Sequence, residues 1–493
     1  MSNRAELELT LGSRAPRQRK RADEPFRILM LADFTAREDE GLDLKPRRIS
    51  FETLDATIAA LAPTASIALS EPLALNEELT IACIDDFHPD SLARSLSVFR
   101  TLNILGDRLG NAGTRDEALA QLTGLLGPGD SEESQPETTS TDEVQRETEG
   151  DMMERLLGST AGASSQTRAH EKVEAFIQDV MGDAKIEMPS PTAEVGQRQV
   201  VELMSAAMRA VLTSHPLRSL ERTWRSAEWL MQRLDDETVE IHIVDVSKDN
   251  LSGHLHDFAG RLDTSPLHQL LCEPASGHPW DLLIGDYSFA LEAEDLVLLT
   301  TLGALAGHAG APFLAHGDLD LCGCNSLEQL ESPWDWQVPE DEIGELWAEV
   351  RAHPALQWVG LATPRMLLRQ PYGADTDAID AFEFEELPPR PESSRFLWGN
   401  PAIGCAYILA RAHDDESQRT AAGDLEIEDL PTVLYDDGTG QALQPPVEAL
   451  INDRAMQQIE ASGLIAMLGK RNANAVRCAG LTAVATQSTS LSR

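Results

Sequence analysis

The chain has 493 residues, 42% of them hydrophobic, enough for two or three domains with real cores, so wholesale disorder is excluded. Asp and Glu number 82 against 40 Lys and Arg, a net charge of -42 that repels phosphate backbones and anionic lipid and argues against a nucleic-acid or membrane-surface role. Six scattered Cys make no disulfide framework and fit buried thiols of a reducing cytoplasm.

In chain order, residues 1–24 hold a strand and a basic arm. RAELELTL (4–11) alternates polar and apolar, with Leu7, Leu9 and Leu11 on one face, and RAPRQRKR follows. A lone strand cannot bury its face, so it needs a partner distant in sequence or on another molecule. The start, MSNRAELELT, lacks the apolar core of a signal peptide, and a cytoplasmic location is expected.

Residues 25–127 read as a small α/β unit. PFRILMLADF is a buried strand, ISFETLDATIAALAP a helix closed by proline, and SIAL and LTIACI further strands. One helix opens at Pro89 and carries Leu92, Leu96, Phe99, Leu102, Leu105 and Leu109 in a single stripe. Residues 128–150, PGDSEESQPETTSTDEVQRETEG, have the composition of an acidic disordered linker. Within 151–165, DMMERLLGS places Met152, Met153, Leu156 and Leu157 on one side of a two-turn helix. That face either docks on its own domain or serves as a recognition helix for a partner groove.

Residues 166–485 form a larger α/β unit. Val200 to Leu212 mark one amphipathic helix and HPLRSLERTWRSAEWLMQRL another, and VEIHIVDVS, DLLIGDYSF, PFLAH and QWVGLAT are strand-like. Leu296 to Leu314 has no charged residue, but its glycines and Pro312 fit a buried helix followed by a strand better than a membrane span. From 472 the pattern weakens into Ala, Thr and Ser, and 486–493 is a tail. The fold class expected is therefore α/β, two layered units joined by the acidic linker.

No catalytic, cofactor or metal constellation emerges. GLIAMLGKR (463–471) has five residues between its glycines where a phosphate loop needs four, and Arg471 stands where Ser or Thr is required. His254 and His256 are alternate residues of a helix and point apart. Cys322 and Cys324 lack the further ligands of a zinc site. No nucleophile elbow is present.

Specific stretches resemble the contractile sheath of type VI secretion systems. PFRILMLADF, RRISFETLDATIAAL and LTIACIDDFHPDSLARSLSVFRTLNILGDRL are similar to the sheath small subunit. VLTSHPLRSLERTWRSAEWLM, VEIHIVDVSKDNL, WDLLIGDYSF, LATPRMLLRQPYG, FEFEE, RFLWGNPAIGCAYILARA and LPTVLYDDGTGQALQPPVEALINDR are similar to the large subunit. The ordered series covers roughly 25–125 and 150–485 and reads as a fusion of the two subunits. The resemblance implies a non-enzymatic structural role: protomers polymerise around an inner tube and contract to propel it, with other sheath protomers, the inner tube protein and baseplate components as partners. It implies that Leu7, Leu9 and Leu11 lie in a strand threading between protomers. It also implies that Met152, Met153, Leu156 and Leu157 bind the AAA+ unfoldase that recycles sheath. Family large subunits continue past the equivalent of residue 485, so a shortened accessory that binds complete sheath without forming tubes is the alternative expectation.

Overall fold

The computed structural model describes residues 24–37, 44–69, 73, 75–111, 113–126, 193–388, 391–414, 425–436, 440–486 and 490–491. The strand at 4–11, the linker 128–150 and the helix at 151–159 lie outside the described residues.

The first segment opens with β1 (Phe26–Ala32), FRILMLA, in which every residue is buried. An apolar run without alternation marks a strand covered on both faces. β2 (Arg47–Ile49) follows, then α1 (Leu54–Leu61), which stops where Ala62 turns left-handed at φ 47° ahead of Pro63. β3 (Thr64–Ala68) and β4 (Asn76–Thr80) make a separate hairpin. The strand expected over LTIACI is thus displaced toward the N-terminus. The Asp86 carboxylate accepts from the backbone N–H groups of Ala82 and Cys83, at 2.7 and 3.1 Å, and bends the chain there. The helix expected from Pro89 is two helices, α2 (Pro89–Ser95) and α3 (Ser97–Gly110), because Leu96 between them is extended. α4 (Arg115–Leu126) closes the segment.

The second segment begins with α5 (Ala193–Thr213) and α6 (His215–Arg233). β5 (Val239–Asp245), α7 (Lys248–Asp257), α8 (Pro266–Cys272), β6 (Leu282–Phe289), α9 (Ala293–Ala309) and β7 (Phe313–Gly317) follow. Next come α10 (Glu342–Ala352), β8 (Val359–Thr363), the small pair β9 (Met366–Leu367) and β10 (Trp398–Gly399), and α11 (Ala402–Asp414). β11 (Glu426–Ile427), the hairpin β12 (Val433–Asp436) and β13 (Gln441–Gln444), α12 (Asp453–Ala461), β14 (Ile465–Gly469) and β15 (Val476–Cys478) complete it.

Nine strands form one sheet in the order β11-β15-β14-β8-β7-β6-β1-β5-β2. From β14 to β5 all neighbours run parallel, and β15, β11 and β2 add antiparallel edges. Helices cover both faces, the three-layer arrangement that a buried parallel sheet requires. Alternate residues of β1 feed two cores: Ile28, Met30 and Ala32 pack under α1 to α6 and α11, while Leu29 and Leu31 pack under α7 to α10 and α12. The uncharged stretch from Leu296 forms most of α9 and leads into β7, as expected. Among the described residues no helix is long and apolar enough to cross a membrane. The C-terminal stretch does not weaken as expected: β15 joins the sheet, and Leu481, Ala483, Val484 and Leu491 are buried. Small Ala and Thr side chains suit close packing there, which hydrophobicity alone does not signal.

Candidate functional site: the seam between the segments

β1 is the seam. It pairs with β5 over its whole length, Phe26 opposite Val239 through Ala32 opposite Asp245, and with β6 from Ile28 opposite Leu282 to Leu31 opposite Gly285. The main sheet therefore takes a central strand from the first segment. Arg27 fixes the entry. It is buried, and its Nε donates to the Glu240 carboxylate at 3.2 Å and its Nη1 to Ser276 Oγ at 3.1 Å and to the His278 carbonyl. Its guanidinium also lies 4.4 Å over the Trp280 ring. At the exit, the Asp245 carboxylate accepts from the N–H groups of Phe34 (2.8 Å) and Thr35 (3.2 Å) and from Thr35 Oγ1 (2.6 Å). Trp224 Nε1 donates to the Phe34 carbonyl at 3.0 Å.

The helices repeat the joint. Leu109 and Leu119 close around Gly196 on α5, where an added Cβ would stand 3.2 Å from a Leu119 methyl. Phe99 stacks on Phe382 at 6.2 Å between centroids. The Asp90 carboxylate at the start of α2 accepts from the N–H groups of Asp380 and Ala381 at 3.0 and 2.9 Å. His88 meets the Tyr372 ring edge-on at 5.0 Å.

Behind Tyr372 lies a buried ion network. Arg369 donates to Glu221 at 2.6 Å and to Glu386 at 2.7 Å, and Arg225 donates to Glu221 at 2.8 Å and to the Tyr372 hydroxyl at 3.1 Å. Burial alone would raise the Glu221 carboxyl, but Arg369 and Arg225 outweigh it and hold the group below its ordinary value. Such a network is satisfied only when all members are present. Beside it, Arg218, Arg222 and Arg365 converge with His215 on one pocket, and burial lowers the Arg218 pKa. His316 is held neutral, pushed down to about 3 by burial and then by Arg365 and Arg222.

The features considered for chemistry resolve as structure. Gly463 to Arg471 contains β14, a sheet strand rather than a phosphate-binding loop. Cys322 and Cys324 are buried thiols that donate to the Leu319 and Ser326 carbonyls, and burial pushes Cys322 up to about 12. His254 and His256 lie on α7, as expected. Leu7, Leu9 and Leu11, and Met152, Met153, Leu156 and Leu157, lie outside the described residues. The sequence reading missed the charged members of the α6 core. Their signal was present: Glu221 falls between Leu220 and Trp224 on the stripe that packs inward.

Residues 198–484 match the family described as EvpB/VC_A0108, tail sheath N-terminal domain. The chain belongs to this tail sheath family. It is 29% identical over 329 residues to the type VI secretion system sheath protein TssC1 of Pseudomonas aeruginosa, a match covering 62% of this chain and 65% of that protein. The chain thus spans a little under two thirds of that relative's length. Set on the structure, the tail sheath match begins within α5 and ends after β15. It takes in every strand of the main sheet except β1 and β2, which come from residues N-terminal to it.

Proposed function

We propose that this chain is a structural protomer of a type VI secretion contractile sheath, with a small-subunit-like segment (25–127) fused to a large-subunit-like segment (166–485). The observation that carries the reading is β1: the family-matched sheet takes its central strand from outside the match. A piece so deeply embedded is better explained as an obligate partner of the large unit than as an appended domain. Two subunits that must share a sheet are also kept at one-to-one ratio by a covalent tether, and tethering raises their effective concentration to the millimolar range, on the order of what a spanning flexible linker provides.

In this role the protomer moves as a unit. The seam binds both segments through main-chain ladders and buried ions, so contraction works at contacts between protomers. A heterologous contact that does not close builds an open helical tube. Contraction then draws on free energy stored when the extended lattice assembles, and no nucleotide is consumed. The strand bearing Leu7, Leu9 and Leu11 adds to a neighbouring protomer by β-augmentation. The helix bearing Met152, Met153, Leu156 and Leu157 is the handle for a recycling AAA+ unfoldase. The inner tube protein and baseplate components complete the set of partners.

Negative-stain electron microscopy of the purified chain, at high concentration and in several salts, tests this reading. Hollow tubules are expected. Discrete particles under every condition, together with failure to enter tubes formed by complete sheath subunits, would overturn it.

A further inference from the structure

We propose that His268, Cys272 and His308 form a binding site for a borderline divalent transition-metal ion of the zinc, cobalt or nickel class. His268 and Cys272 stand four residues apart on α8, so both project from one helix face. His308 reaches them from the last turn of α9. One His268 ring nitrogen, Nε2, lies 2.9 Å from His308 Nδ1, and a ligand atom from each of the three residues lies within 4.8 Å of the others.

A tetrahedral ion with ordinary Zn–N and Zn–S bond lengths needs its nitrogens about 3.3 Å apart and nitrogen and sulfur about 3.6 Å apart. The two ring nitrogens reach their spacing by opening a few tenths of an ångström, and the thiol, within 4.8 Å of them, closes the remainder by turning about χ1. Two imidazoles and a thiolate suit zinc-class ions over calcium or magnesium, which take oxygen ligands.

The surroundings favour a cation. Cys272 and His308 both sit in the final turns of their helices, where unpaired carbonyls concentrate negative potential. His268 is buried while Cys272 and His308 are half-buried, so the cluster lies at the edge of the core rather than deep inside it. The ion would clamp α8 to α9, on the sheet face that receives no helix from the first segment.

Cobalt titration of the tag-free full chain tests the site. One equivalent is expected to produce a thiolate-to-cobalt charge-transfer band, which Cys272→Ser removes and His268→Gln weakens at least tenfold in affinity. Zinc is expected to compete for the same equivalent and to raise Tm in the unsubstituted chain only. A second measurement needs no variant: zinc should protect Cys272 from alkylation, read by peptide mass spectrometry, without protecting the half-buried Cys83. Absence of the charge-transfer band, a band unchanged in Cys272→Ser, or equal alkylation of Cys272 with and without zinc would each overturn the proposal.

Discussion

The two faces of the sheet are closed by different means. One face is covered by α7 to α10 and α12, all from the second segment, and is closed mainly by tight steric packing, with the Lys248–Asp295 ion pair (2.6 Å) between α7 and α9. Gly303 on α9 passes so near the chain that an added Cβ would stand 2.8 Å from the Ala355 carbonyl oxygen, and one at Gly307 would meet the Trp358 ring. The other face is covered by helices of both segments and is held by charge as well as shape, through Glu221, Arg225, Arg369 and Glu386. Steric packing does most of the closing within one continuous segment. Where two segments must find each other in a single register, buried ions add the directional demand that apolar side chains lack.

The largest effect is expected where both faces depend on the same strand. Met30→Asp places a charge under the shared core, and the chain should lose its cooperative thermal transition, with proteolysis releasing fragments of both segments. An intact transition would show that the segments are separate domains that merely touch. Next comes Arg369→Met, which strips the Glu386 carboxylate of its ion-pair partner and leaves Glu221 with Arg225 alone, at a cost of about 3–5 kcal/mol. Adding Glu221→Gln and Glu386→Gln should recover part of that loss in denaturant unfolding. No recovery would mean that shape rather than charge holds this face. On the opposite face, Gly303→Ala should cost about 1–3 kcal/mol by overpacking, and no charge change should rescue it.

Acid should act on residues at the seam and beside the arginine pocket. Burial and then Arg27 push His242 down to about 4, and His316 is pushed to about 3. Both rings stay neutral in the fold but gain a proton near their ordinary value of 6.5 when unfolded. Stability is therefore full above that pH and falls as pH drops toward the folded values, by at most about 1.4 kcal/mol per pH unit for each ring. His316→Asn should flatten the profile of Tm against pH, and a parallel profile would rule this group out. The smallest effect is expected from Trp224→Phe, which keeps most of the ring but loses the bond to Phe34, at about 1 kcal/mol.

Much of this was legible in the sequence, and the remainder was hidden for definable reasons. Apolar runs located β1, β5, β6, β7 and β8, and stripes located α5 and α6. Position was harder: FRILMLA announces a strand buried on both sides but not which strands flank it, because pairing is non-local. The break at Leu96 was invisible because a leucine there satisfies the stripe of one helix or the junction of two. The charged core of α6 could be suspected from Glu221 in its apolar stripe, but its partners Arg369 and Glu386 lie some 150 residues on (148 between Arg369 and Glu221). His268, Cys272 and His308 went unremarked in the sequence, because His308 lies 36 residues beyond Cys272 and joins the pair only in the folded chain.

The place of β1 also bears on how the protein is made. Arg27 and its partner Glu240 are 213 residues apart, so β1 leaves the ribosome long before the neighbours it pairs with. During that interval its apolar surface is exposed to misassociation. A protomer built from two separate polypeptides would have to manage this hazard by diffusion, synchronised expression or a chaperone. In a single chain each nascent strand arrives with its own completing sheet in tow, and the delay is set by translation rather than by encounter.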